Sequence, residues 1–142
     1  MATVLKSVIV PHSAATMFAL VDDVERYPEF LPWCSGSAVL ERTREITRAR
    51  IEIGYLGLES RISTVNRKEE PQLMDLELVE GPFDEFRGRW RFVALGEEGC
   101  RVELALHYVL SSAALGTAMR PILGQILETI VDRFVARAEA LA

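Results

Sequence analysis

The side chains able to do chemistry are few, and their spacing argues against most of it. His12 and His107 are the two histidines of this 142-residue chain, one before a helical stretch and one on the outward side of a strand pattern. Neither lies at metal-ligand spacing from a cysteine or carboxylate, so no metal site is expected. Cys34 and Cys100, the two cysteines, are far apart and form no CxxC motif. They read as reduced thiols of a cytosolic protein. A nucleophile elbow, a glycine loop for phosphates and a serine with a placed base are all missing. Spacing does not forbid a centre assembled from distant residues. Still, no acid, base or nucleophile is assigned, and a binding protein rather than an enzyme is expected.

Binding residues are easier to find. Arg87, Arg89 and Arg91 alternate with Phe86, Gly88, Trp90 and Phe92, giving one basic and one apolar face. The basic row is either a contact for phosphate or an acidic partner, or a solvated face paired with acids such as Glu103. Tyr55 and Leu56 sit between Gly54 and Gly57 at a hairpin turn. They either stand exposed, to meet a membrane or a partner, or fold back onto the helix end. On the inward side, Ser60, Thr64, Cys100 and Tyr108 lie among Trp90, Phe92, Ile51, Ile53, Leu76 and Leu104. Each alone is ordinary core; together, on a sheet facing one helix, they predict an internal pocket, mostly apolar with a few polar groups.

Composition sets the frame. Hydrophobic residues make up 49% and charged residues 26% of the chain, which suits a single globular domain over 1–142. No apolar run approaches the roughly 20 residues that span a bilayer. Met1 to Lys6 lacks the charged-then-apolar order of a signal peptide. The net charge of −5 removes a general nucleic-acid footprint, and DNA is not an expected partner. The charge is uneven, however: residues 42–68 hold Arg42, Arg44, Arg48, Arg50, Arg61, Arg67 and Lys68, whereas 69–85 is acidic.

Hydrophobic periodicity supplies the elements. The stretch from about Ala113 to Leu141 has apolar residues at helical spacing, including Met119, Leu123, Ile126, Leu127, Ile130 and Phe134. It predicts a helix of roughly 40 Å, capped by Ser111 or Ser112. Pro121 predicts either a kink near 117–121 or a main helix starting at Pro121 after a separate turn over 113–119. Residues 3–10 read as a strand. Ser13 caps a short helix with Met17, Phe18 and Val21 on one face. Asp22 and Asp23 cap a second, which Pro28 ends near Tyr27. Strands follow around 39–42, 46–53, 58–66, from Pro71, 86–92 and 102–110. The turn at 54–57 places Ile53 opposite Leu58, with Ala49, Ile51, Leu58 and Ile62 on one face and diagonal Arg50–Glu59 and Glu52–Arg61 contacts on the other. The fold class is α+β: a curved antiparallel sheet of about seven strands wrapped around a long C-terminal helix, a helix-grip arrangement, with two short helices after the first strand.

Four segments carry a resemblance. Val21 to Gly36 (VDDVERYPEFLPWCSG), Gly81 to Phe83, Gly88 to Phe92 and Gln125 to Phe134 resemble the coenzyme-Q-binding branch of the START-like superfamily. That branch includes the RatA ribosome-association toxins, formerly called oligoketide cyclases. The resemblance implies a carrier whose pocket lies between sheet and long helix and takes ubiquinone or an isoprenoid precursor, in support of respiration. For RatA-type members it implies binding to the large ribosomal subunit and a block of subunit association. It transfers no catalytic residue. Tyr27, Pro28, Phe30, Leu31, Pro32 and Trp33 would form a pocket-side connector, with Trp90 and Phe92 as wall.

The expected ligand-binding set is therefore Tyr27, Phe30, Leu31, Trp33, Ile51, Ile53, Ser60, Leu76, Trp90, Phe92, Tyr108, Met119 and Leu123. The expected partner-binding set is Tyr55, Leu56, Arg87, Arg89 and Arg91. No cofactor is required; ubiquinone or a similar isoprenoid is the ligand. The large ribosomal subunit is the alternative partner, and the location is cytoplasmic, open to transient contact with the inner membrane.

Overall fold

Side-chain alternation decides the sheet. In the strand carrying the arginine row, Gly88, Trp90 and Phe92 are buried while Arg87, Arg89 and Arg91 are exposed. A strand patterned in this way needs a cover on one face only. The structure, a computed structural model, describes residues 2–112 and 118–142. Its strands are β1 (Ala2–Val10), β2 (Cys34–Arg42), β3 (Ile46–Tyr55), β4 (Leu58–Glu69), β5 (Leu73–Glu80), β6 (Phe83–Ala94) and β7 (Cys100–Leu110). They form one curved antiparallel sheet in the order β1-β7-β6-β5-β4-β3-β2. Six strands are thus a meander, and β1 closes it by pairing with β7, Val4 opposite Leu106.

The helices cover the apolar face. Helix α1 (Ala14–Asp22) begins at Ser13, whose side chain accepts from the Thr16 amide. A 3-10 helix (Val24–Glu29) follows and leads through the connector into β2. Pro28 lies inside that 3-10 helix rather than ending it near Tyr27. The turn continues because the Phe30 and Leu31 amides both donate to the Tyr27 carbonyl. Helix α2 (Met119–Leu141) buries Leu123, Ile126, Leu127, Val131, Phe134 and Ala138 against the sheet. It starts later than the periodicity suggested. Ala118, not Ser111 or Ser112, is its N-cap, with no side-chain cap bond. Pro121 falls in the first turn, where the missing N–H has no helical partner to lose. The expected earlier part of the helix, 113–117, lies outside the described residues.

Two turns differ from the sequence reading. Pro71 does not open β5, which starts at Leu73. The β3–β4 hairpin closes through Leu56 and Gly57, pairing Tyr55 with Leu58 and Ile53 with Ser60. A shift of two residues keeps every side chain on its expected face but changes its partner. Glu52 now lies directly opposite Arg61, and Arg50 pairs with Glu52 along its own strand at 3.4 Å. Leu56 has φ 53° and Gly57 φ 79°, the positive values that the tight primed turns need. Leucine in this conformation is strained by about 1–2 kcal/mol, and its side chain is 80% exposed. Leu56→Asn should therefore raise the unfolding free energy by about 1 kcal/mol, read from urea denaturation. An unchanged midpoint would mean the turn carries no strain.

Candidate ligand cavity and its polar end

Between the inner face of the sheet and α2 lies a cavity of about 90 Å3. Phe134 of α2 anchors one side, meeting the rings of Tyr27, Phe30 and Trp90 edge-on at 5.3, 5.4 and 5.5 Å. Trp90 stacks on Phe92 at 6.0 Å, and Phe92 meets Phe18 of α1 at 5.6 Å. Such aromatic pairs each contribute about 0.5–1.5 kcal/mol beyond area burial, which fixes the wall. The Tyr27 hydroxyl donates to the Val21 carbonyl. Burial pushes its pKa well above the ordinary tyrosine value, so it stays a neutral donor.

Of the expected ligand-binding residues, Tyr27, Trp33, Ile51, Ile53, Leu76 and Trp90 meet on this wall. Phe30 and Phe92 sit behind it, packed on the wall's aromatic rings. Leu31, Met119 and Leu123 are buried but do not line the cavity, and Tyr108 packs edge-on against Phe83 at 5.9 Å. Ser60 also stays outside: it borders a separate depression with Ser35, Glu52, Glu59, Arg61 and Glu80. Ser60 shares a face with the cavity residues but lies too near the hairpin end of β4 to reach it. The wall also contains residues outside the expected set, among them Ala49, Asn66, Met74, Ile126, Ile130 and Phe134. Phe134 was within reach, as the end of the Gln125–Phe134 motif. Asn66 was also within reach, because it follows the inward Thr64 by two residues on the same strand.

One end of the cavity is polar. Thr64 and Asn66 line it, with the Thr64 hydroxyl donating to Asn66 Oδ1 at 2.7 Å. Beyond them, Thr47 donates to Asp22 Oδ1 at 2.8 Å, and buried Lys68 meets Asp22 Oδ2 at 3.2 Å. Asp22 is the last residue of α1, where a negative charge faces the helix dipole unfavourably. Lys68 and Arg42 compensate: Arg42 Nη2 donates to the Asp22 carbonyl at 2.7 Å, and its guanidinium binds both oxygens of Glu25 at 2.7 and 2.8 Å. This network ties α1 and the 3-10 helix to β2, β3 and β4 at the polar end.

The two thiols are not activated. Burial pushes the Cys34 thiol up to about 11 and raises Cys100 as well, which leaves both protonated and poorly nucleophilic at neutral pH. Among the described residues, no group of three or more His, Cys, Asp or Glu side chains is placed to hold a metal ion. No described helix is long and apolar enough to cross a membrane.

On the outer surface, Tyr55 and Leu56 part company. Tyr55 borders a shallow cleft with Pro32, Trp33, Ile122 and Gln125, whereas Leu56 points to solvent. The arginine row also divides. Arg89 forms a two-pronged pair with Asp75 of β5 at 2.7 and 2.9 Å, which holds the Asp75 carboxyl below its ordinary pKa. Glu103 instead faces Arg101 of its own strand at 3.7 Å. Arg87 and Arg91 make no ion pair among the described residues.

A curved sheet gripping one long helix around an apolar cavity defines a START-like protein. The comparisons agree. A family model described as polyketide cyclase/dehydrase and lipid transport matches residues 10–135. A Pseudomonas aeruginosa protein named ribosome association toxin RatA is 38% identical over 96% of this chain and 94% of its own length. The coenzyme Q-binding protein COQ10 homolog B of Xenopus laevis is 38% identical over 50 residues, 35% of this chain and 20% of its own. Among solved structures, a START superfamily protein from Mycobacterium smegmatis superposes with a TM-score of 0.80 at 24% identity, covering 99% of both chains. The Zhui aromatase/cyclase from Streptomyces sp. R1128 gives 0.81 at 16% identity, over 97% of this chain and 93% of that one. At those identities the two structures establish the fold alone. The chain belongs to the START-like polyketide cyclase/dehydrase and lipid-transport family, on the branch of the RatA and COQ10 proteins.

The Arg42 network has a titration signature. Hydrogen bonding from Arg42 is the largest cause that lowers the Glu25 carboxyl from 4.5 to about 2. A depressed carboxyl contributes stability that is complete above its unfolded pKa and lost as pH falls through the folded one. Glu25 is half-exposed, so solvent screens the effect. Carboxyl NMR should place the Glu25 midpoint near 2 in the wild type and return it toward 4.5 in Arg42→Ala. A wild-type midpoint already near 4.5 would show that the pair does not persist in solution.

Proposed function

We propose that this chain binds an apolar small molecule, ubiquinone or an isoprenoid precursor, between the sheet and α2, in support of respiration. The observation that carries this reading is a buried, mostly apolar cavity with a few polar groups at one end, the usual composition of a small-molecule site. The lipid-transport description of the family and the coenzyme Q-binding name of one relative support it. At about 90 Å3 the cavity is smaller than the ~300 Å3 of typical ligand sites. A ring with a tail therefore needs the α2 wall and the sheet to part further, with Ile126, Ile130 and Phe134 giving way. A bilayer is the natural source of such a ligand, and Leu56 is the exposed apolar tip that would meet it. The reading needs no cofactor and no catalytic residue.

Ala49 tests this reading, since it is 2% exposed and lies on the cavity wall. Ala49→Leu adds three carbons to the space a ring would occupy, at an overpacking cost of about 1–3 kcal/mol. Native mass spectrometry of protein from its own host should find a bound quinone or isoprenoid. Calorimetry with a short-chain quinone should show affinity falling at least roughly ten-fold in folded Ala49→Leu. Full affinity in that variant would place the ligand elsewhere.

A second reading is favoured by one finding: the relative named ribosome association toxin RatA matches along nearly the whole chain, whereas the COQ10 protein matches 50 residues. In this reading the chain associates with the large ribosomal subunit and blocks subunit joining. Phosphate contacts need available cations, and Arg87 and Arg91 are the exposed members of the row without an ion pair. Co-sedimentation with large subunits should then be lost in Arg87→Glu/Arg91→Glu and largely retained in Arg89→Glu, whose charge Asp75 already offsets. Wild-type protein that leaves subunit joining untouched would eliminate this reading.

A further inference from the structure

Thr47, Thr64, Asn66 and Lys68 are the non-aromatic polar and charged side chains buried among the described residues. All four lie on β3 and β4. Thr64, Asn66 and Lys68 alternate along the inner face of β4, and Thr47 faces Asn66 across the β3–β4 pair. Two of the four are accounted for by the Asp22 network. The other two line the cavity.

Their hydrogen bonds do not balance. Thr64 commits its one proton to Asn66 Oδ1 at 2.7 Å. That bond turns the amide so that its NH2 group is the free end, and Asn66, 5% exposed, makes no further hydrogen bond among the described residues. A second donor on the same wall is also unspent: the indole Nε1 of Trp33 is buried with no acceptor, in a residue 7% exposed. Tyr27, the remaining hydroxyl, is already bonded to Val21. The wall therefore carries two donors without a protein acceptor, the Asn66 NH2 group and the Trp33 indole, and the indole is the fully buried one, a costly group to leave unpaired. A β-bulge lies at the same point. The β4–β5 register slips between Ser63 and Thr64 and leaves Val79 on the outside, 64% exposed. Bulges of this kind re-aim side chains next to functional sites.

We infer that the Thr64–Asn66 pair recognises an acceptor oxygen, a ring carbonyl or ether, on an otherwise apolar ligand, with the Asn66 NH2 donating to it. This rests on the cavity-binding reading above and adds the ligand's polar chemistry and its orientation. The oxygen-bearing end lies at β4 against Asn66, and the apolar remainder runs along the aromatic wall.

The experiment compares two probes by calorimetry: an alkyl-para-benzoquinone and the alkylbenzene of the same chain length. The wild type should bind the quinone at least about ten-fold more tightly, the worth of one good buried hydrogen bond. The double variant Thr64→Val/Asn66→Leu replaces both partners by apolar groups of similar shape, a change the fold tolerates better than removal of one. It should bind both probes equally. Asn66→Asp, which exchanges the donor group for an acceptor at the same size, should abolish the preference too and serves if the double variant does not fold. Equal binding of both probes by the wild type would overturn the inference and leave the cavity reading standing. A quinone preference that survives in either folded variant would overturn the assignment to this pair. If neither probe binds the wild type, the cavity reading and this inference fall together.

Discussion

A seven-stranded sheet with one apolar face must bury that face, and here a single long helix is the main cover. Six gaps of about 4.8 Å make the sheet roughly 29 Å wide, whereas a helix with its side chains is about 10–12 Å across. A flat sheet would leave more than half of its apolar face in water. The structure answers by curling the sheet around α2 and by packing α1, the 3-10 helix and the connector into the remaining width. The aromatic residues are where these layers lock. Phe134 touches the 3-10 helix through Tyr27, the connector through Phe30 and the sheet through Trp90. Because rigid rings meet edge-on, they fill the curl incompletely, and the remaining space is the cavity. The pocket thus follows from the same mismatch of widths that produces the fold.

The polar end follows from a second constraint. Helix α1 ends on Asp22, and that end is pressed against β3 and β4, where water cannot solvate the carboxylate fully. Lys68, Thr47 and Arg42 supply the counter-charge and donors. A buried pair of this kind adds little net stability, since desolvation offsets most of the attraction. It does specify geometry, because only one seating of α1 on the sheet satisfies all the partners. Having paid for polar residues on the inner face of β4, the chain continues them to Asn66 and Thr64, which the network does not use.

Much of this was legible in residue types. The alternation of Arg87, Arg89 and Arg91 with Gly88, Trp90 and Phe92 identified an inner and an outer face, and the long apolar stripe ending at Leu141 identified the cover. Depth along a strand was not legible. Ser60 and Thr64 share a face and lie four residues, about 13 Å, apart along the strand, yet only Thr64 reaches the cavity. Partner choice across the hairpin was missed for a local reason: glycines at 54 and 57 suggested a four-residue loop, while the chain uses Leu56 itself at positive φ, a residue that seldom adopts it. Asn66 was passed over although it follows Thr64 on the same face, and Lys68 lay beyond the expected end of the strand at 66, whereas the strand runs to Glu69. The partner of Lys68, Asp22, lies 46 residues away, and no local pattern spans that distance.

The two functional readings use different parts of the molecule, and that separation has a physical basis. The cavity is lined by the inner face, whose residues are constrained together by packing, so a change in one is felt by its neighbours. The arginine row stands on the outer face, where each side chain is solvated and changes independently of the core. Arg89 is paired with Asp75, and Arg67 with Glu77, so among the described residues of the β6 arginine row Arg87 and Arg91 are the ones without an ion pair. A surface of that kind contributes a few localised phosphate contacts against a net charge of −5, and shape must supply the rest of any ribosomal affinity. The inner face has the opposite balance, with shape incomplete at 90 Å3 and unspent hydrogen-bond donors. What each face lacks is what its partner would have to bring: complementary shape on the outside, an apolar body with an acceptor oxygen on the inside.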